Sequence, residues 1–371
     1  MVVDLLTLLK KTNTQTDMSS GTALIAGVTG VAGLSLARRL VSNNWKVYGI
    51  SRRASDFLPS GINHVLCDLQ DASQCSDALE DLKDVTHVFY ATWATTMDPE
   101  KDCDMNRSML ANLMEHLPSQ IKHFALLTGG KHYLGNFGDF MNPVDPIKET
   151  MDRLPGPNFY YELEDEVFSW VAKRGFTWSV ARPMVIVGFA PNNVVNAATG
   201  IAVYAILCKE LNLPFHFFGG KNLYHNISNI TDAEMLADHM IWESTEQKAA
   251  NQAFNVVNGD VFRWKQLWGA IAKYFNLEVP EYKGEAASVS TFMDDKSDVW
   301  DSIVNKHGLY KTDLKTICAW WFFVMYQELS DPLPLVDMTK SRELGFLKYQ
   351  SSEKNFFKTF DYMKEANIIP K

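Results

Sequence analysis

Three glycines spaced three residues apart are the first feature of this chain that could do chemistry. They are Gly27, Gly30 and Gly33, with an apolar run at residues 23–26 before them and apolar residues at helical spacing after them. A strand, a glycine turn and a helix in this order are typical of a dinucleotide-binding crossover, in which the backbone approaches a pyrophosphate at the positive end of the helix. We therefore predict that this turn binds the phosphates of a nucleotide.

Two arginines follow the next expected strand, residues 46–50, in the sequence Ser51-Arg52-Arg53. An NAD-selective site carries Asp or Glu here for the ribose 2′-hydroxyl. Guanidinium groups instead make bidentate contacts to phosphate. The alternative is a pair of solvated arginines at a strand end, but the position favours an NADP(H) site.

The reductive chemistry of short-chain dehydrogenases normally uses a tyrosine with a lysine four residues later. The residues at that spacing from Tyr48, Tyr160, Tyr161 and Tyr204 are Arg52, Glu164, Asp165 and Cys208. None is lysine. Either the protein binds a nucleotide without catalysis, or a Tyr/Lys pair is assembled from separate segments.

Strands and helices that alternate along the first half must position these residues. Further strands are expected at 64–67, 85–91, 122–127 and 177–183, and helices at 34–41, 74–82, 101–116 and 158–173. Strict alternation predicts an α/β fold with a Rossmann-type, doubly wound parallel sheet. The glycine-rich loop after residue 127 then lies at the carboxyl end of a strand, where ligands bind in such sheets.

The pattern changes after residue 193. Apolar helices are expected at 197–211, 264–275, 300–307 and 314–326, while residues 230–258 are expected to return to the main sheet as a helix and strand. We therefore divide the chain into a disordered or loosely docked leader (1–20), an NADP(H)-binding domain (21–193) and a smaller, mainly helical substrate lobe (194–371). An apolar pocket between the lobes is the expected small-molecule site.

Composition excludes several classes of protein. The 371 residues are 46% hydrophobic and 12% aromatic, which excludes a mainly disordered chain, and the net charge of −9 disfavours a general nucleic-acid or anionic-membrane binder. The five scattered cysteines lack metal-ligand spacing and indicate reduced thiols in the cytoplasm. No apolar run approaches the roughly 20 residues that span a bilayer. We expect a cytoplasmic protein without a metal, a nucleic-acid partner or a membrane span, and leave a homodimer open.

From about residue 22 onward the chain resembles the progesterone 5β-reductase/iridoid synthase-like family of atypical short-chain dehydrogenases. The matching stretches lie at residues 26–30, 45–49, 84–90, 92–94, 128–133, 158–161 with 164–165, and 254–256 with 258–262. They are long and spread over nearly the full length. The resemblance implies an extended short-chain dehydrogenase fold that uses NADPH to reduce activated carbon–carbon double bonds of enones and enals.

In that family the catalytic lysine lies in a Thr-Gly-x-Lys-His-Tyr loop and the tyrosine in an Asn-Phe-Tyr-Tyr motif. The resemblance therefore implies Lys131 and Tyr160 as the pair, with Tyr161 the weaker candidate. Hydride addition β to a carbonyl leaves an enolate, whose charge a phenol hydroxyl can stabilise. A nearby ammonium lowers the phenol pKa and adds positive potential. The alternatives are a solvated loop lysine and an ordinary helix-start aromatic.

The resemblance also implies which residues contact the ligands. The cofactor set is Gly27, Thr29, Gly30, Val31, Gly33, Ser51, Arg52, Arg53, Asp68, Leu69, Thr92, Trp93, Thr128, Lys131, Tyr160, Ile186, Asn193 and Val195. The substrate set is Trp93, Phe137, Tyr160 and Met184. The expected substrate is a small apolar enone or enal, such as a steroid Δ4-3-ketone or a terpenoid.

Three positions depart from the family pattern. Met184-Val185 replaces the usual Gly-Asn after Arg-Pro, Leu127 replaces a frequent glutamine, and Gly130 replaces a frequent arginine. We expect an altered pocket shape and polarity. Besides enone reduction, reductive cyclisation of a terpenoid dialdehyde and a non-catalytic NADP(H)-binding regulator remain open. An epimerase or dehydratase is disfavoured by the missing Tyr-x-x-x-Lys.

Overall fold

A computed structural model describes residues 21–136, 146–191, 193–320, 323 and 334–371. Its main element is a parallel sheet of seven strands in the order β3-β2-β1-β4-β5-β6-β10. These strands are β1 (Thr22–Ala26), β2 (Lys46–Ser51), β3 (Ile62–Leu66), β4 (His87–Tyr90), β5 (His123–Leu127), β6 (Thr177–Pro183) and β10 (Gln252–Val256). The predicted doubly wound Rossmann fold is confirmed.

Helices cover both faces of this sheet. They are α1 (Val31–Ser42), α2 (Ala72–Leu79), α3 (Pro99–His116), α4 (Lys131–Leu134), α5 (Phe159–Arg174) and α8 (Ala233–Thr245). Helices α1 and α8 pack on one face through a cluster that includes Leu36 and Met240, and α2, α3 and α5 pack on the other through Leu79, Leu110 and Val167. Burial of these apolar faces drives the layering.

Helix starts follow local capping chemistry. Asp98 accepts hydrogen bonds from two backbone N–H groups at the start of α3, and Asp232 does the same at the start of α8. Asp71 caps α2 in this way and starts it at Ala72, so the helix spans 72–79 rather than the predicted 74–82. A side-chain acceptor at the cap satisfies N–H groups that have no partner within the helix.

The remaining elements form a mainly helical region. The helices are α6 (Ala197–Glu210), α7 (Lys221–His225), α9 (Trp264–Phe275), α10 (Val289–Met293), α11 (Ser297–His307), α12 (Leu314–Ile317), α13 (Thr339–Glu343) and α14 (Ser352–Glu365). The short strands are β7 (Ile186–Val187), β8 (Ile227–Ser228), β9 (Thr231–Asp232) and β11 (Phe262–Arg263). Helix α12 ends at Ile317, and most of the rest of the predicted 314–326 helix lies outside the described residues.

The core of this region is aromatic. Phe215 and Trp268 stack with ring centroids 4.0 Å apart, and both are fully buried.

The strand predicted to return to the main sheet is β10, which pairs in parallel with β6. None of the described helices has both the length and the apolar character needed to cross a bilayer.

Candidate active site

A cavity of about 600 Å³ lies at the carboxyl ends of the parallel strands. Its lining brings together most of the predicted ligand residues, namely Gly27, Thr29, Gly30, Val31, Ser51, Arg52, Asp68, Leu69, Thr92, Trp93, Thr128, Lys131, Tyr160, Met184, Ile186, Asn193 and Val195. Gly33 and Arg53 do not line it. Phe137 lies outside the described residues. The carboxyl edge is where open α/β sheets bind ligands.

The glycine turn fits a pyrophosphate. Gly27 has φ +86°, and a Cβ there would lie 2.6 Å from the Ala91 carbonyl oxygen. A Cβ at Gly33 would lie 2.1 Å from the Gly27 carbonyl oxygen, so Gly33 allows the helix to pack against the turn rather than contacting a ligand. Gly30, the cap of α1, has no side chain, and the first turn of α1 carries no acidic residue. This helix start suits an anion.

The end of β2 carries a positive charge toward the cavity. Arg52 lines it, whereas Arg53 is exposed and contributes its carbonyl oxygen to a 2.7 Å hydrogen bond from the Ser51 hydroxyl. The same hydroxyl is 2.7 Å from the His64 ring. Among the described lining residues the single carboxylate is Asp68, which follows β3. One arginine rather than two therefore faces the predicted 2′-phosphate position.

A buried hydroxyl further along the cavity wall is free for a polar ligand. Thr128 is 4% exposed and lines the cavity, and its hydroxyl finds no hydrogen-bond partner among the described residues. A buried polar atom without a partner is costly unless a ligand satisfies it. Together with the glycine turn and Arg52, this hydroxyl shows that the residues present fit a dinucleotide.

The structure separates the two candidate tyrosines. Tyr160 lines the cavity, with its hydroxyl 3.4 Å from the position of a Cβ on Gly129. Tyr161 instead donates to the His132 carbonyl oxygen at 2.6 Å and accepts from the Leu154 N–H at 2.9 Å, away from the cavity lining. Burial raises the pKa of the Tyr160 phenol, contrary to the lowering expected from a nearby ammonium, and this keeps the phenol a hydrogen-bond donor at neutral pH.

Lys131 reaches the same cavity from the start of α4. Its ammonium lies 4.5 Å from the centre of the Phe159 ring. Burial lowers the pKa of Lys131 to about 8, while the charge of Asp102 acts in the opposite direction. The lysine and tyrosine, 29 positions apart in the chain, thus come from two helices that meet at one wall.

Asn158 connects those two helices. Its side-chain N–H donates to the Lys131 carbonyl oxygen at 2.9 Å, and its side-chain oxygen accepts from the Tyr160 N–H at 3.0 Å. The residue is 5% exposed. One asparagine therefore caps α5 and holds the backbones of both candidate catalytic residues.

A buried ionic network, not identified from the sequence, supports this wall from behind. Glu164 on α5 contacts Arg182 on β6 at 2.9 Å and Arg153 at 3.0 Å, with the His132 ring at 3.5 Å. Burial alone would raise the pKa of Glu164, but His132 and the Arg182 charge lower it to about 2. Glu164 lies in one of the stretches that match the family, but the sequence of that stretch does not reveal which charged side chains Glu164 contacts.

A second buried carboxylate was also missed. Asp102 on α3 is 4% exposed and accepts from the Thr95 hydroxyl at 2.6 Å, the Thr96 N–H at 2.6 Å and the Thr96 hydroxyl at 2.9 Å. It fixes the loop after β4 that carries Trp93. The only sequence signal was a run of threonines before a helix cap.

One wall of the cavity is apolar. Trp93 is 37% exposed and stacks on Phe159 with ring centroids 5.8 Å apart. Leu134, Met184 and Val185 line the neighbouring wall. Within the described ranges, no three His, Cys, Asp or Glu side chains could jointly hold a metal ion. The five cysteines are buried and free.

Comparison with known proteins connects this arrangement to characterised relatives. The family profile described as a PRISE-like Rossmann-fold domain matches residues 58–370. The chain is 39% identical over 362 residues to (S)-8-oxocitronellyl enol synthase ISY1 of Nepeta cataria, covering 94% of this chain and 93% of that protein. It is 36% identical over 364 residues to a 3-oxo-Delta(4,5)-steroid 5-beta-reductase of Arabidopsis thaliana, with 94% and 93% covered.

Solved structures support the fold alone. The UDP-glucose 4-epimerase of Thermotoga maritima superposes with a TM-score of 0.66 at 17% identity, covering 93% of this chain and 99% of that one. That of Thermus thermophilus gives 0.64 at 15% identity, with the same coverage. At such low identity these similarities concern the Rossmann architecture and not the reaction.

Proposed function

The chain belongs to the PRISE-like Rossmann-fold family of short-chain-dehydrogenase-type oxidoreductases, and on that premise we propose that it is an NADPH-dependent reductase of activated C=C bonds in enones and enals. The observation that carries the proposal is the convergence of Tyr160 and Lys131 on one cavity beside the glycine turn. Relatives named as a steroid 5-beta-reductase and as enol synthases fit the same reaction class.

The cofactor proposal rests on charge and shape. The turn at Gly27–Gly30 with Thr29 and Val31 would hold the pyrophosphate, Arg52 would hold the 2′-phosphate, and Asp68 and Leu69 would border the adenine. All of these residues except Val28 line the cavity, which supports the assignment. Thr92, Thr128, Ile186, Asn193 and Val195 would line the ribose and nicotinamide half. When bound, NADPH supplies the hydride. We further propose that residues 21–193 form the cofactor domain and 194–371 the substrate lobe.

Tyr160 stabilises the charge that develops during reduction. Hydride addition to the carbon β to the carbonyl breaks the C=C π bond and moves its electron pair toward the carbonyl oxygen. The Tyr160 hydroxyl donates a hydrogen bond to that oxygen, and its raised pKa keeps the proton on the phenol. The enolate then takes a proton at its α carbon from solvent, which completes the saturated carbonyl product.

Lys131 contributes positive potential to the same oxygen. Its ammonium is desolvated and lies against the Phe159 ring, where a charge acts more strongly than in water. The apolar wall of Trp93, Leu134 and Met184 receives an apolar substrate.

A terpenoid dialdehyde is a second candidate substrate. The observation that favours it is the 39% identity to an enzyme named for an 8-oxocitronellyl enol product. Reduction of such a dialdehyde would use the same hydride addition and the same Tyr160 phenol. Cyclisation of the product would depend on how the enol is held before it leaves.

The test is NADPH oxidation by the purified protein with 2-cyclohexen-1-one, progesterone and 8-oxogeranial, with products identified by mass spectrometry. We expect a saturated carbonyl product, and Tyr160→Phe is expected to lower kcat by on the order of 10²-fold. The exposed Tyr349→Phe is the matched control. Tight NADPH binding without turnover of any substrate would refute the reductase proposal, and full activity of Tyr160→Phe would refute the role of the phenol.

A further inference from the structure

Two consecutive glycines form the cavity wall beside the candidate catalytic phenol. A Cβ on Gly129 would lie 3.4 Å from the Tyr160 hydroxyl and 3.1 Å from the Pro183 carbonyl oxygen. A Cβ on Gly130 would lie 2.8 Å from the Met184 sulfur and 3.2 Å from its terminal methyl carbon. The Tyr160 hydroxyl and the Met184 thioether therefore occupy neighbouring positions over a wall that has no side chains of its own.

Met184 combines a fixed backbone with an adaptable side chain. Its N–H donates to the Thr231 hydroxyl at 3.2 Å, and that hydroxyl donates to the Val256 carbonyl oxygen at 2.7 Å. The residue is 8% exposed and lines the cavity. An unbranched thioether fills irregular space and changes rotamer readily. The backbone of Met184 is therefore held at the end of β6, and the conformation of its thioether sets the free space above Gly130.

We propose that Met184 determines substrate size, because its thioether covers Gly130 and takes up space in the cavity that a fused ring system would need. The inference rests on the proposed enone reduction. It favours open-chain and single-ring enals and enones over fused-ring steroids.

The position of the Tyr160 hydroxyl explains why ring size matters. The substrate oxygen must reach that hydroxyl beside Gly129, so the further rings of a large substrate extend past Gly130 and the Met184 thioether. Leu134 closes the far side, with its terminal methyl 3.6 Å from the same Gly130 position. Met184 and Leu134 are both apolar, so this wall selects by shape rather than by hydrogen bonding.

The experiment compares the kcat/KM ratio of progesterone to 2-cyclohexen-1-one in four proteins: wild type, Met184→Ala, Gly130→Ala and the double variant. We expect Met184→Ala to raise the ratio by about 10- to 100-fold, since small changes in pocket volume discriminate by such factors. Gly130→Ala pushes the flexible thioether into the substrate space and lowers the ratio. In the Met184→Ala background the same alanine has little effect, because no thioether remains to be displaced.

Controls separate shape from folding and from chemistry. Met363→Ala truncates a methionine that is 1% exposed and does not line the cavity, so it should lower the melting temperature without changing the ratio. Binding of both ketones to each protein with NADP⁺ is measured in parallel by intrinsic tryptophan fluorescence. Gly130→Ala keeps the inference testable if Met184→Ala does not fold.

The outcomes distinguish the two proposals. If no variant reduces an enone but the ratio of binding affinities shifts as expected, the reductase proposal fails and the role of Met184 stands. If reduction occurs and neither Met184→Ala nor Gly130→Ala changes the ratio, the role of Met184 is refuted. If neither ketone binds or reacts in any variant, both proposals are refuted.

Discussion

Replacing Glu164 with glutamine should destabilise the protein through the ionic network behind the active-site wall. The carboxylate contacts Arg182 at 2.9 Å, and both side chains are more than 90% buried. The glutamine variant keeps the shape of the side chain but leaves the Arg182 guanidinium without its buried counter-charge. Because that guanidinium cannot reach water, the loss is larger than for a surface ion pair.

Two estimates of the magnitude agree. The pKa of Glu164 falls from 4.5 to about 2 in the folded protein. A shift of that size corresponds to about 3 kcal/mol of stability. Removing one partner of a buried pair costs about 3–5 kcal/mol. At about 1.3 °C per kcal/mol for a chain of this size, the melting temperature should fall by roughly 4–6 °C.

The pH dependence provides a sharper signature. A carboxylate whose folded pKa is lowered contributes its full stability above the unfolded value of 4.5 and loses it as the pH falls toward about 2. The difference between wild type and Glu164→Gln should therefore be largest near neutral pH and shrink across this window. Denaturant unfolding at about pH 7 and about pH 3 measures it.

Asp165→Asn is the matched control. Asp165 is the next residue on the same helix and contacts Arg153 at 2.8 Å, but its side chain is 58% exposed. Its removal should cost no more than about 1 kcal/mol. If Glu164→Gln lowers the melting temperature no more than Asp165→Asn does, or if its difference from wild type is unchanged in acid, the buried pair does not stabilise the fold.

Other predictions concern the proposed cofactor site, the candidate catalytic lysine and acid stability. Arg52→Glu should reverse a preference for NADPH over NADH in kcat/KM, and an intact preference would contradict the 2′-phosphate assignment. Asp102→Asn removes the negative charge that favours the protonated form of Lys131. The apparent pKa of the basic limb of the pH–rate profile should therefore fall by about one pH unit. An unchanged basic limb would show that the charge of Asp102 does not influence Lys131. Burial lowers the pKa of His87 to about 4 and of His123 to about 3. The contribution of each histidine to stability is therefore complete above its unfolded pKa of 6.5, and roughly 3–5 kcal/mol of it is lost as the pH falls to the folded pKa. His123→Gln should make the free energy of unfolding, measured with denaturant, less sensitive to acid.

The sequence alone predicted the elements that depend on local patterns. A turn built from Gly27 and Gly30, and strands such as Thr177–Pro183, follow from residue type and short-range periodicity. Alternation then restricts the topology, because a parallel strand order needs right-handed crossovers. The boundaries were less exact where a single side chain sets them, as Asp71 does for α2.

The resemblance predicted Lys131 and Tyr160 as the catalytic pair, and both line the cavity, but their surroundings depend on tertiary contacts. Adjacent residues on a helix point in different directions, so only packing directs the Tyr160 hydroxyl into the cavity and ties that of Tyr161 to His132. Likewise Arg52 lines the cavity and its neighbour Arg53 does not.

Contacts between distant segments could not be read from the chain. Glu164 with Arg182 and Gly130 with Met184 each join segments from different strands and helices, with no shared periodicity to connect them. Local sequence determines which backbone conformations and caps form, because those interactions lie within a few residues. The charges and volumes that complete the site are decided by the tertiary structure, because burial and distance exist only once the sheet and its helices have packed.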